Sequence, residues 1–131
     1  MGIKQYRVGK EWEKAVMKYY RNKGYFTYKV PTELEGTVFD IICIRDASAM
    51  CIECKHVTGK KLYFRGSGLS KKYDELEHFV MAHNTNVYLY IKSDELDAIY
   101  WTTWVRSGEL LKEQGYLDLE KDCIKATIWE Q

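Results

Sequence analysis

Several features are missing from this chain, and each absence narrows what it can be. No apolar run in its 131 residues approaches the roughly 20 that a membrane-spanning helix needs. The opening residues, Met1 to Arg7, contain no apolar stretch of the secretory-leader kind. Tyr6 stands where a myristoylation signal beginning Met1-Gly2 would need Ser or Thr. A soluble, intracellular, cytoplasmic protein with no membrane partner is therefore expected. Its four cysteines, Cys43, Cys51, Cys54 and Cys123, are then expected to be reduced thiols, not a disulfide framework. There is no repeat, low-complexity tract or linker-like stretch, so a single domain spanning 1–131 is expected.

Net charge is nearly absent too, at +1, but its distribution is uneven. Residues 1–72 hold 15 Lys/Arg against 7 Asp/Glu, a net of +8, and residues 73–131 hold 5 against 12, a net of −7. From Lys55 to Lys72 there are six basic residues and no acid. A one-sided basic field in an otherwise neutral protein points to a polyanionic partner. With 46% hydrophobic and 15% aromatic residues, the chain can build a core without covalent staples.

The spacing predicts a helix over 8–23, with Trp12, Ala15, Val16 and Tyr19 as its apolar stripe, Glu13 beside that stripe, and Gly24 as its stop. Strands are predicted over 25–30, which Pro31 ends, and over 37–45 and 49–57. A glycine-containing basic loop follows. A second helix is predicted over 70–82, strands over 86–92 and 97–104, a short helix over 108–114 and a last strand over 123–129. This order implies an α/β fold, a mixed β-sheet flanked by helices.

The stretch Cys51-Ile52-Glu53-Cys54-Lys55-His56 suggests a metal knuckle or a redox pair at first sight. On a strand, however, Cys51 and Cys54 point to opposite faces, whereas either chemistry needs both sulfurs on one side. Glu53 and Lys55 share a face. Asp40 interrupts an apolar run, and a carboxylate buried there must be paired, neutralised or bound to a cation. A two-residue turn at Asp46-Ala47 would put Asp40 opposite Glu53; a four-residue turn would put it opposite Lys55. Either register gathers Asp40, Glu53 and Lys55. Two acids and the Cys54 carbonyl are oxygen donors of the kind that suit Mg²⁺ or Mn²⁺. Lys55 would then assist at a phosphate. Two such acids alone are more often a structural salt-bridge cluster; beside a strongly basic segment they point to phosphodiester chemistry.

Asp40, Glu53 and Lys55 resemble the PD-(D/E)XK nuclease signature. With Gly9-Lys10-Glu11-Trp12-Glu13 ahead of them and Lys60-Lys61-Leu62-Tyr63 after them, residues 8–104 resemble the archaeal-type Holliday junction resolvases (Hjc). The resemblance implies a restriction-endonuclease-like fold. It implies a metal-dependent, structure-selective endonuclease that cuts four-way DNA by hydrolysis, leaving 5′-phosphate and 3′-hydroxyl ends, and works as a homodimer on branched DNA. Glu13, Asp40, Glu53 and Lys55 would be catalytic. Glu13, Asp40, Glu53 and Cys54 would hold Mg²⁺, with Mn²⁺ able to substitute. Lys10, Lys14, Lys29, Lys60, Lys61, Arg65, Lys71 and Lys72 would contact DNA, and Phe64 would wedge into the junction.

The chain departs from the family in its loop 31–37, which carries Glu33 and Glu35, and in residues 105–131, expected as a C-terminal extension suited to a viral or divergent member. Two other functions fit the same residues: a PD-(D/E)XK nuclease acting on duplex or single-stranded DNA, and a non-catalytic nucleic-acid-binding module. His56, on the opposite strand face from Lys55, is expected to be packed or partly exposed, not catalytic.

Overall fold

The computed structural model describes residues 3–31, 39–65, 69–83 and 85–126, the side chains of 3–10 and 69–72 excepted. Twelve elements follow in chain order: α1 Ile3–Asn22, β1 Phe26–Lys29, β2 Ile41–Arg45, β3 Ser48–Val57, β4 Lys61–Tyr63, α2 Leu69–His83, β5 Asn86–Ser93, β6 Ala98–Thr103, α3 Trp104–Gln114, β7 Tyr116–Asp118, α4 Leu119–Asp122 and β8 Ile124–Lys125. Six strands form a mixed sheet in the order β1-β2-β3-β5-β6-β8, and β4 and β7 form a separate two-stranded ribbon. The pairing is antiparallel except between β3 and β5, where the crossover carries α2. The expected architecture, a mixed sheet flanked by helices, is the one observed.

Each face of the sheet carries its own core, as the alternation of strand side chains requires. On one face, Trp12, Val16 and Tyr20, one turn apart along α1, bury against Ile41, Cys43, Ile52, Tyr90 and Ile99. The buried stripe thus runs through Tyr20, with Ala15 and Tyr19 packed only partly at its margins. Burying side chains of this size contributes about 1.5–3 kcal/mol each. On the other face, Cys51, Leu89 and Ile91 meet Leu76 of α2 and Trp104 and Leu111 of α3. Leu117 and Leu119 are buried in this second core.

The ends of the elements follow local chemistry. After α1, Gly24 takes a left-handed φ of +90°, its N–H bonds to Arg21 O, and the Tyr25 N–H bonds to Tyr20 O. That closes the helix with its last carbonyls satisfied. α3 begins at Trp104, four residues before the expected start, because the Thr103 hydroxyl caps it by accepting from the Arg106 N–H. The basic loop also differs from expectation: β4 forms inside it and pairs with β7. Of the last predicted strand, residues 124–125 pair with β6, and 127–129 lie outside the described residues.

Candidate active site

Arg45 pairs with Ser48 and Ile41 with Ile52 across β2 and β3, so the hairpin turns on Asp46-Ala47 alone. Asp46, first in the turn, has φ +56°. This is the two-residue register as far as Ile41; at Asp40 the ladder slips by one, so that Asp40 lies against Ile52 and not directly opposite Glu53 as expected. The main chain of Asp40 is held from both sides. Its N–H donates to Ile52 O at 2.9 Å, and its carbonyl accepts from the Val30 N–H at 2.8 Å. The site residue at the head of β2 is thereby pinned between β1 and β3.

The Asp40 side chain is tied to the main chain of β3 at Cys54. The Cys54 N–H donates to Asp40 Oδ2 at 2.7 Å. Glu53, only 1% exposed, sits in the middle of β3, and its Oε1 lies 3.7 Å from Lys55 Nζ. Glu13 reaches in from α1 and is ion-paired with Lys29 at the end of β1. Burial pushes the Cys54 thiol well up from its ordinary range, and the negative charges of Asp40, Glu13 and Glu53 push the same way against the opposing pull of Lys29. Its sulfur belongs to the α1-side core, and Cys51 to the core on the other face. The two thiols thus point to opposite faces, as a strand requires.

Whether these residues suit a divalent cation depends on the donor set. Among the described residues, no three His, Cys, Asp or Glu side chains are gathered as a metal cage. Mg²⁺ needs no such cage, because it keeps several waters and takes one or two carboxylates. Asp40, tied through its carboxylate to the Cys54 main chain, and Glu53, the residue before Cys54 on β3, offer oxygen donors of that kind. Glu13, engaged by Lys29, stands at the margin of the set.

Other site residues are placed as follows. Lys14, Lys60, Lys61 and Arg65 are exposed, which is what phosphate contact requires. Lys29 is partly buried, with its ammonium on Glu13 and not in open solvent. The side chains of Lys10, Lys71 and Lys72, and the loop 32–38, lie outside the described residues. Phe64 does not stand out as a wedge. It packs against the second core, with its ring edge-on to Tyr73 at 5.8 Å. The strand alternation of β4 explains this outcome: Lys61 and Tyr63 face outward and Leu62 faces in. Reading Lys61-Leu62-Tyr63 as a strand would have marked Tyr63, not Phe64, as the displayed aromatic. His56 Nε2 lies 2.8 Å from Asp94 Oδ1 in the β5–β6 turn, away from the carboxylates.

The family model of the archaeal Holliday junction resolvases (Hjc) matches residues 4–117. The chain belongs to the Hjc family. It is a junction-resolving nuclease, of a family that acts with a divalent metal. Among solved structures, the Hjc chain resembles that of Archaeoglobus fulgidus Hjc, a Holliday junction resolvase from an archaeal hyperthermophile, with a TM-score of 0.66 and 14% identity over 92% of this chain and 93% of that one. No curated protein sequence matches it. Among the described residues, no helix of this Hjc chain is long and apolar enough to cross a membrane.

Proposed function

We propose that Asp40, Glu53 and the Cys54 carbonyl hold one Mg²⁺, replaceable by Mn²⁺, and that Glu13 contributes from α1 through water. When bound there, the ion polarises a phosphoryl oxygen and lowers the pKa of the attacking water. The chain's own residues do the remainder. Asp40 is positioned by the Cys54 N–H, so its carboxylate stays at the head of β2. Glu53 brings a negative charge into a water-poor strand, where electrostatic attraction for a cation is strongest. Lys55 presents its ammonium beside Glu53, ready to donate to the phosphate or steady the developing charge. Lys29 holds Glu13 in place from β1.

The hydrogen bond from the Cys54 N–H to Asp40 Oδ2, with Glu53 and Lys55 on either side of Cys54 along β3 and 3.7 Å apart at their charged ends, is the observation that carries this reading. Lys14, Lys60, Lys61 and Arg65 supply phosphate contacts, so binding weakens steeply with salt. Two symmetric cuts on one junction require two sites at a fixed spacing, which a two-fold homodimer supplies. The test is cleavage of a synthetic four-way junction beside a linear duplex, with Mg²⁺, Mn²⁺ or EDTA. Paired symmetric nicks on the junction alone, present with either metal and absent in EDTA, are expected. Cleavage that persists in EDTA would overturn the metal site, and equal cutting of the duplex would overturn junction selectivity.

A further inference from the structure

The β4–β7 ribbon is a small two-stranded element with two different faces. Inward, Leu62 and Leu117 pair and are both fully buried. Outward, Tyr63 pairs with Tyr116 and Lys61 with Asp118. The ribbon is tied down at both ends. The Leu119 N–H bonds to Lys60 O, and the Phe64 N–H bonds to Gly115 O at 2.9 Å. Gly59, just before it, takes a hydrogen bond on its carbonyl from the buried Ser93 hydroxyl at 2.7 Å. The outward face is therefore a fixed surface that begins a few residues beyond Lys55.

Its aromatic arrangement leaves one ring open. Tyr63 and Tyr116 are 6.1 Å apart and tilted by 50°, so they do not stack face to face. Lys61 Nζ lies over the Tyr116 ring at 4.6 Å, which covers that ring with a cation. Tyr63 remains 57% exposed. Its surroundings are basic: Lys60, Lys61 and Arg65 are exposed around it. The acid on this face, Asp118, accepts through Oδ1 from the Lys121 N–H and is committed to starting α4. An open aromatic ring in a basic, exposed stretch of chain matches a nucleic-acid base next to its phosphate. Where the arms of a four-way junction part without stacking on one another, the base pairs lining the branch point each expose a face. Inside a linear duplex, no such face exists.

We propose that Tyr63, on the outward face of the β4–β7 ribbon, stacks on a base exposed at the branch point of a four-way junction, with Lys61 and Lys60 on the neighbouring phosphates. This rests on the junction-resolving activity and adds the residue that distinguishes a branch from a duplex.

The test uses the full chain in EDTA, so that binding is read without cleavage, on a junction carrying 2-aminopurine at the branch point and on a linear duplex. Tyr63→Ala is expected to bind the junction roughly tenfold more weakly. Its duplex affinity and salt slope should be unchanged, and the 2-aminopurine response to binding should be lost. Tyr63→Phe should behave as the wild type, and Lys61→Ala should lower the salt slope by about one. An unchanged junction affinity, or an equal loss on both DNAs, overturns the proposal. So does a change in sedimentation of Tyr63→Ala without DNA, which would put the ring against a second copy of the chain. Wild-type cleavage of the junction with Mg²⁺ is measured alongside; its failure would reject the nuclease site and not the stacking residue.

Discussion

Gly108 offers a case in which two physical effects oppose each other and the structure decides between them. It lies buried within α3, where glycine weakens a helix, so Gly108→Ala should stabilise the protein by about 1 kcal/mol on helix propensity alone. A methyl group placed there would lie 2.7 Å from Tyr73 Cε2 and 2.8 Å from its hydroxyl oxygen. The ring has little room to yield. Tyr73 is buried, with Trp104 at 5.4 Å, Phe64 at 5.8 Å and Lys112 Nζ 4.2 Å from its centroid. Overpacking of this kind costs about 1–3 kcal/mol, which exceeds the propensity gain. A net loss of about 1 kcal/mol follows, or a fall in Tm of about 4 °C for a domain of this size. The check is thermal and urea denaturation of Gly108→Ala in the wild-type and Tyr73→Leu backgrounds. With the ring shortened, the same substitution should become stabilising by about the propensity term. A higher Tm for Gly108→Ala in the wild-type background would refute the reasoning.

Asp40→Asn and Glu53→Gln keep side-chain size while removing a negative charge, and each should lower junction cleavage by roughly 10³-fold with binding in EDTA retained; single-turnover cleavage and gel-shift assays check this. Both should also lose the rise in Tm that Mg²⁺ gives the wild type, since a ligand stabilises only the state that binds it; melting curves with and without Mg²⁺ read the difference. Lys55→Met should leave the Mg²⁺-dependent rise in Tm in place and still lower cleavage by roughly 10²-fold or more, which separates its role from metal holding. Stability should be full below pH 9.0 and fall as pH rises from there toward 12. Burial, first among the causes, pushes the thiol of Cys51 up to about 11 and those of Cys43 and Cys123 and the Tyr90 phenol up to about 12, and raises Tyr20 as well. The unfolded chain ionises these groups first, so high pH favours it; Tm measured from pH 8 to 11 tests the sign.

Much of this molecule is legible in its residues one element at a time. The helical stripe through Trp12 and Val16, the glycine stop at Gly24, the apolar β2 and the acid–lysine pair on β3 all follow from periods of 3.6 and 2. Those periods also separate Cys51 from Cys54 and so exclude a metal knuckle. The signature Asp40, Glu53 and Lys55 is a matter of spacing along adjacent strands, which the chain itself carries. What local pattern leaves open is pairing between distant segments. Two turn lengths were compatible with residues 40–57, and the tertiary structure settles on the shorter, with Asp46 at positive φ. The basic segment after Lys55 reads as a loop, because three residues make a strand only when β7, more than fifty positions away, supplies the hydrogen bonds. That distant pairing turns Phe64 inward and Tyr63 outward. It likewise takes the docking of α1 on the sheet to bring Lys29 against Glu13. Side-chain alternation is a property of the nearest neighbours and can be read from residue order. Register, partner choice and which face meets solvent depend on burial summed over the whole chain, which only the folded protein determines.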